Sequence, residues 1–189
     1  MKKVGVLAVQ GAFAEQATAF RDIGADVFEI RQLSDLQKPM DALVLPGGES
    51  TVQGKLLTDL GMFKPLQEMI RGGLPVFATC AGLILLAHKI VDDPTVWLSC
   101  LPVTVKRNAY GRQLGSFQTC DTWGKEEDVP MTFIRAPRIE TLDDPEVRIL
   151  STHGGYATAV GYKNIAAFAW HPELTSDRRT FERFLAGRF

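Results

Sequence analysis

Short apolar runs alternate with stretches of helical periodicity through the first half of the chain. Val4 to Val9 reads as a strand, and Ala12 to Ile23 as a helix ended near Gly24. Asp26 to Arg31 is a second strand, and Ala42 to Leu45 a third, closed by Pro46-Gly47-Gly48. Helical spacing returns over Thr51 to Leu60 and Phe63 to Ile70, and Gly72-Gly73 stops the second of these helices. Pro75 to Thr79 is a fourth strand, and Ala81 to Ile90 a helix entered straight from Cys80. Alternating strands and helices imply an α/β fold in three layers. Its central sheet is mostly parallel, helices cover both faces, and the crossovers are right-handed.

The second half changes character. Val103 to Lys106, Ser116 to Cys120, Thr132 to Arg135, Val147 to Ser151, Ala157 to Val160 and Ala166 to Trp170 are short β-like segments separated by turns. Some are expected to pair antiparallel, and Asp177 to Ala186 closes the chain as a helix. With no repeat, low-complexity tract or linker, residues 1–189 are expected to form one domain.

The formal net charge of -1 points to neither nucleic acid nor an anionic membrane surface as partner. Pairs such as Arg178-Arg179 read as a solvated helix face. Met1-Lys2-Lys3 before an apolar run has the outline of a signal peptide. The run is short, however, and Gln10-Gly11 followed by Glu15 makes no cleavage region, so a buried strand fits better. No apolar stretch approaches the roughly twenty residues that span a bilayer. Cys80, Cys100 and Cys120 are an odd number without CxxC spacing. A disulfide framework and zinc are therefore not expected, and a reducing cytoplasm is.

Cys80 falls between a strand and a helix, where a sharp turn lifts a side chain out of the sheet beyond the strand ends. Gly82 leaves room for the crowded backbone. The helix start favours a thiolate and leaves backbone N–H groups for a developing oxyanion. The segment by itself equally accommodates a buried structural cysteine; Cys100 and Cys120 have no such setting and read as structural.

Three histidines are available as a base. His88 is placed about two turns along the helix from Cys80, too far to reach the sulfur. His153 precedes Gly154-Gly155 and reads as a turn residue. His171 ends an apolar run and precedes Pro172, which biases it toward extended backbone. Residues i and i+2 of an extended segment point the same way, so Glu173 can lie beside the imidazole. A surface pair has the same spelling, and Cys80 is what sharpens the reading. Pro46-Gly47-Gly48-Glu49-Ser50 is either a strand-ending turn or a backbone wall for an oxyanion. A P-loop is disfavoured because Gly54-Lys55 is followed by Leu56.

The Pro46-Gly47-Gly48 loop, Cys80-Ala81-Gly82 and His171-Pro172-Glu173 together resemble a class I, or triad, glutamine amidotransferase. More narrowly, the chain resembles the glutaminase subunits of pyridoxal 5'-phosphate synthases. The supporting stretches include residues 5–13, 46–51 and 79–87, Arg107-Asn108-Ala109-Tyr110-Gly111-Arg112-Gln113, and Phe133-Ile134-Arg135-Ala136-Pro137. The last two are specific to this subfamily.

The resemblance implies Cys80 as nucleophile, His171 as base and Glu173 as its orienter. It implies oxyanion donors from the backbone near Gly48 and Ala81, and L-glutamine held by Gly48, Glu49, Ser50, Arg107, Ile134 and Arg135. Arg107 is suited to the α-carboxylate and Glu49 to the α-ammonium. The implied partner is a (β/α)8-barrel synthase that activates the glutaminase and takes its ammonia. Gln10 is expected near the cleft mouth and the partner, and neither a metal nor an organic cofactor is needed. The sequence departs from the pattern at Gln16 (in Glu15-Gln16, where Glu-His is common), at Ala78 (where glycine often stands) and at Gln118 (in place of an acid). These positions belong to a partner-facing helix, the packing of the elbow and a strand edge.

Overall fold

The computed structural model describes residues 1–109 and 116–189. Residues 110–113 of the segment that begins at Arg107 lie outside the described residues.

Strands β1 (Lys3–Leu7), β2 (Asp26–Ile30), β3 (Ala42–Leu45) and β4 (Val76–Thr79) are joined by helices α1 (Phe13–Asp22), α2 (Ser50–Asp59) and α3 (Phe63–Arg71). Helix α4 (Ala81–Leu86) leads into β5 (Ala87–Ile90) and β6 (Leu101–Lys106). There follow β7 (Ser116–Trp123), β8 (Glu126–Ile134), β9 (Arg138–Leu142), β10 (Arg148–His153), β11 (Tyr156–Tyr162), β12 (Ile165–Phe168) and α5 (Arg179–Leu185).

The main sheet has the order β10-β11-β12-β4-β3-β1-β2. From β12 to β2 every neighbouring pair is parallel, whereas β11 runs antiparallel to both β12 and β10. All residues of β3 and β4 are buried, which explains their unbroken apolar spelling: a central parallel strand is covered on both faces. The chain moves from β1 outward to β2 and from β3 the other way to β4. Right-handed crossovers therefore put α1 and the α2–α3 pair on opposite faces. On the α1 face, Phe20 meets Phe77 edge-on at 5.4 Å, and Phe181 and Phe184 of α5 pack on the same ring. The direction of winding reverses between β1 and β3, and ligands bind beyond the strand ends at such a switch point.

Smaller sheets complete the second half: β5-β6-β9, and the antiparallel hairpin β7-β8. Here several expectations are corrected. The helix expected over Ala81 to Ile90 ends at Leu86, and His88 lies on β5, which pairs parallel with β6. A continuous apolar run such as Leu83 to Ala87 has no period that distinguishes helix from strand, so pairing with β6 decides. Strand β8 starts at Glu126, six residues earlier than expected, and β9 was not anticipated. Arg135 lies beyond β8 with φ 42°, and Trp170 beyond β12. No helix among the described residues is long and apolar enough to cross a membrane.

Candidate active site

Cys80 occupies the junction of β4 and α4 with φ 48° and ψ -100°. A non-glycine residue at positive φ is strained by roughly 1–3 kcal/mol and persists only where its surroundings over-determine it. Here they do: the Cys80 N–H donates to the Phe168 carbonyl at 2.8 Å, and the Ile84 N–H donates to the Cys80 carbonyl. Gly82 makes the turn possible, since a Cβ at that position would overlap the Leu45 carbonyl.

His171 lies one residue beyond Trp170, with its N–H donating to the Thr132 carbonyl of β8 at 2.8 Å. Its Nδ1 is 2.7 Å from Glu173 Oε1, and both side chains are buried. Glu173 is the middle residue of a short 3-10 turn, Pro172–Leu174, so this turn, and not a continuous extended segment as expected, brings its carboxylate beside the ring. Burial of the ring opposes its proton. Hydrogen bonds to Cys80 and Glu173, with the charges of both, outweigh that and push the His171 pKa up to about 10. Helix α4 has only six residues, so its dipole is short, and the charged group beside Cys80 is the His171 imidazolium.

Gly47 sits under the imidazole. A Cβ there would overlap His171 Cε1 and lie 3.0 Å from Nδ1 and 3.5 Å from Cys80 Cβ. The glycine loop is tied to the β1–α1 loop by three contacts. The Ala12 N–H donates to the Gly47 carbonyl at 2.9 Å, the Glu49 N–H to Gln10 Oε1 at 2.9 Å, and Gln53 Nε2 to the Gln10 carbonyl at 3.0 Å.

Cys80 and His171 open onto a cleft of about 630 Å³, also lined by Gln10, Gly48, Glu49, Ser50, Arg107, Ile134 and Arg135. Every side chain or loop expected to face a ligand is thus brought to one cleft. Glu173 stands behind His171, and Ala81 is fully buried at the first turn of α4, where backbone N–H groups have no partner within the helix. Ser50 Oγ is buried with no hydrogen-bond partner among the described residues. Arg107 is not a free fork: Nη2 donates to Asp93 Oδ2 at 2.7 Å and Nη1 to Thr51 Oγ1 at 3.0 Å. Among the described residues, two of its five N–H groups are engaged in this way.

Some residues of the cleft were not anticipated. Glu15, Ile84 and Leu174 line it, and Asp93 supports Arg107. Glu15 was legible in principle as an acid in the first turn of α1, but nothing in its neighbours tells which way that turn faces. Gln16, by contrast, points into the core and is fully buried.

A thiol paired with a buried imidazole, itself held by a carboxylate, can attack an acyl carbon and return the proton to a leaving nitrogen. Comparisons with known proteins agree with this chemistry. The model of the SNO glutamine amidotransferase family matches residues 6–188. A curated relative from Desulfitobacterium hafniense, named pyridoxal 5'-phosphate synthase subunit PdxT, is 52% identical over 183 residues, covering 97% of this chain and 92% of its own. A relative of the same name from Bifidobacterium longum is 45% identical, covering 96% and 98%. A crystal structure of a glutamine amidotransferase superposes with a TM-score of 0.92 at 38% identity, covering 97% of this chain and 98% of that one. With the cysteine elbow, the buried histidine–glutamate pair and a family match over nearly its whole length, this chain belongs to the SNO glutamine amidotransferase family.

Proposed function

We propose that the chain is the glutaminase subunit of a pyridoxal 5'-phosphate synthase, hydrolysing L-glutamine to glutamate and ammonia with Cys80, His171 and Glu173. The observation that carries the mechanism is that Cys80 and His171 share one cleft while Glu173 holds the His171 ring at 2.7 Å. The Cys80 thiolate attacks the side-chain amide carbon, and the carbonyl electrons move onto oxygen. Collapse of that intermediate breaks the C–N bond, and His171 supplies the proton with which ammonia leaves. His171 then takes a proton from water, which attacks the thioester; the C–S bond breaks and glutamate is released. Glu173 holds the ring in one tautomer and stabilises its charged form.

The Gly48 and Ala81 N–H groups serve as oxyanion donors. A trans peptide sets its N–H antiparallel to its C=O. With the Gly47 carbonyl held by Ala12, the Gly48 N–H is turned away from α1. Gly48, Glu49, Ser50, Ile134 and Arg135 surround the glutamine, and Arg107 takes its α-carboxylate.

Two relatives carry the name of a pyridoxal 5'-phosphate synthase subunit, which supports a synthase subunit as the partner that receives the ammonia; its (β/α)8-barrel form is what the family resemblance implies. Gln10, bonded to Glu49 at the cleft mouth, is the group through which docking reaches the glycine loop. Three cysteines without a disulfide among them support a cytoplasmic setting. The test is glutamate release from glutamine with and without the cognate synthase subunit. Release that rises on adding the synthase and disappears in Cys80→Ala is expected; none under either condition sinks the proposal.

A further inference from the structure

Behind the cleft stand two buried polar side chains that the mechanism above leaves unused. Gln16 on α1 and Thr79, the last residue of β4, are both fully buried. Gln16 Nε2 donates to Thr79 Oγ1 at 3.0 Å, and the Gly47 N–H donates to the same oxygen at 3.0 Å. A single hydroxyl, on the residue next to Cys80, therefore holds the backbone of the glycine loop. The other end of Gly47 is held as well, by the Ala12 N–H at the foot of α1.

We infer that Thr79 and Gln16 are positioning residues that set the oxyanion donor against the nucleophile and tie that setting to helix α1. The inference rests on the proposed role of the Gly48 N–H. Gly47 and Gly48 have no side chains to anchor them; Thr79 holds the Pro46–Gly47 peptide by its N–H, and Ala12 holds the carbonyl of the next peptide, which carries the Gly48 N–H. An oxyanion donor is effective when it is already aimed before charge develops. A hydroxyl oxygen has two acceptor lone pairs, and Thr79 uses both: one for the loop and one for Gln16. Any shift of α1 thus reaches Gly47 by two routes, through Ala12 and through Gln16–Thr79. Gln16 Oε1 is buried with no hydrogen-bond partner among the described residues. Leucine would fill the same space without that unsatisfied oxygen, so packing alone does not account for an amide here.

The test is steady-state glutaminase activity in the presence of the cognate synthase subunit, for wild type, Thr79→Val, Thr79→Ser and Gln16→Leu. Valine keeps the shape of threonine and removes the acceptor. Thr79→Val is expected to lower kcat about 10- to 100-fold with glutamine KM within about two-fold of wild type, because the lost interaction acts on the transition state. Thr79→Ser restores kcat, and Gln16→Leu lowers it by a smaller factor. Alkylation of Cys80 by iodoacetamide, which needs no oxyanion donor, keeps its wild-type rate in every variant. Wild-type kcat in Thr79→Val overturns the inference. So does a fall in alkylation that parallels kcat, since that marks a damaged thiolate or fold. A wild-type protein that releases no glutamate with the synthase overturns the glutaminase reading itself, and the inference with it.

Discussion

Glu173 Oε1 stands 2.7 Å from His171 Nδ1, while Glu173 Oε2 is buried without a hydrogen-bond partner among the described residues. A buried carboxylate with one polar partner concentrates its stabilising effect on that partner, and here it favours the protonated ring.

This relationship sets a pH dependence. The raised pKa of about 10 means that the imidazolium persists through neutral pH and is lost as pH climbs through that value. The alkaline limb of kcat/KM is therefore expected near pH 10 rather than near the ordinary histidine value. Glu173→Gln removes one stabilising charge while burial still opposes the proton, so the limb moves to lower pH. An unchanged limb in that variant, measured by glutamate release across pH, would show that Glu173 does not govern the ring.

Gly47 bears on the same ring. In Gly47→Ala the new methyl overlaps His171 Cε1 and must displace the imidazole. Misplacing a catalytic group by about 1 Å costs on the order of 100-fold in rate, so kcat should fall about that much while the melting temperature changes little. Activity within a few-fold of wild type would mean that the ring has room to shift without loss.

Arg107 is oriented by Asp93 and Thr51 before any substrate arrives. Arg107→Lys loses the planar fork and should raise the glutamine KM with little change in kcat. Asp93→Ala should raise KM in the same direction by a smaller factor, because the guanidinium loses its anchor. Isothermal titration of glutamine into the Cys80→Ala protein isolates the effect from chemistry; equal affinity in the Arg107→Lys background would remove Arg107 from the binding set.

Gln10 accepts the Glu49 N–H, which makes it a side-chain link between the β1–α1 loop and the glycine loop, beside that of Gln53. Gln10→Ala should reduce the stimulation of glutamate release by the synthase several-fold, with a smaller effect on the rate without it. Stimulation equal to wild type in a titration with the synthase would move the switch elsewhere.

Most of the sheet was legible because β1, β3 and β4 are short apolar runs bounded by turns, and a strand covered on both faces needs that spelling. The candidate trio of Cys80, His171 and Glu173 was legible through local rules: an elbow cysteine at a strand end, and His171 and Glu173 two apart around a proline. Where the reading failed, long-range pairing overrode local pattern. Ala87–Ile90 became a strand because β6 lies beside it, and β8 carries Pro130 and three successive acids, which mask a strand whose partner is β7.

The amino-acid sequence by itself determined which side chains are candidates for chemistry, the strand-to-helix turn that carries Cys80, and the proline between His171 and Glu173. Each of these depends on residues within a few positions of one another, where backbone sterics and side-chain direction act directly. Only the tertiary structure decided that Thr79 meets Gly47 across 32 residues and Gln16 across 63, that Asp93 anchors Arg107, and that Gly47 floors the imidazole. Those contacts join separate elements, and their geometry follows from how β1, β3 and β4 stack in register and which face each helix covers. No local period or motif encodes that arrangement.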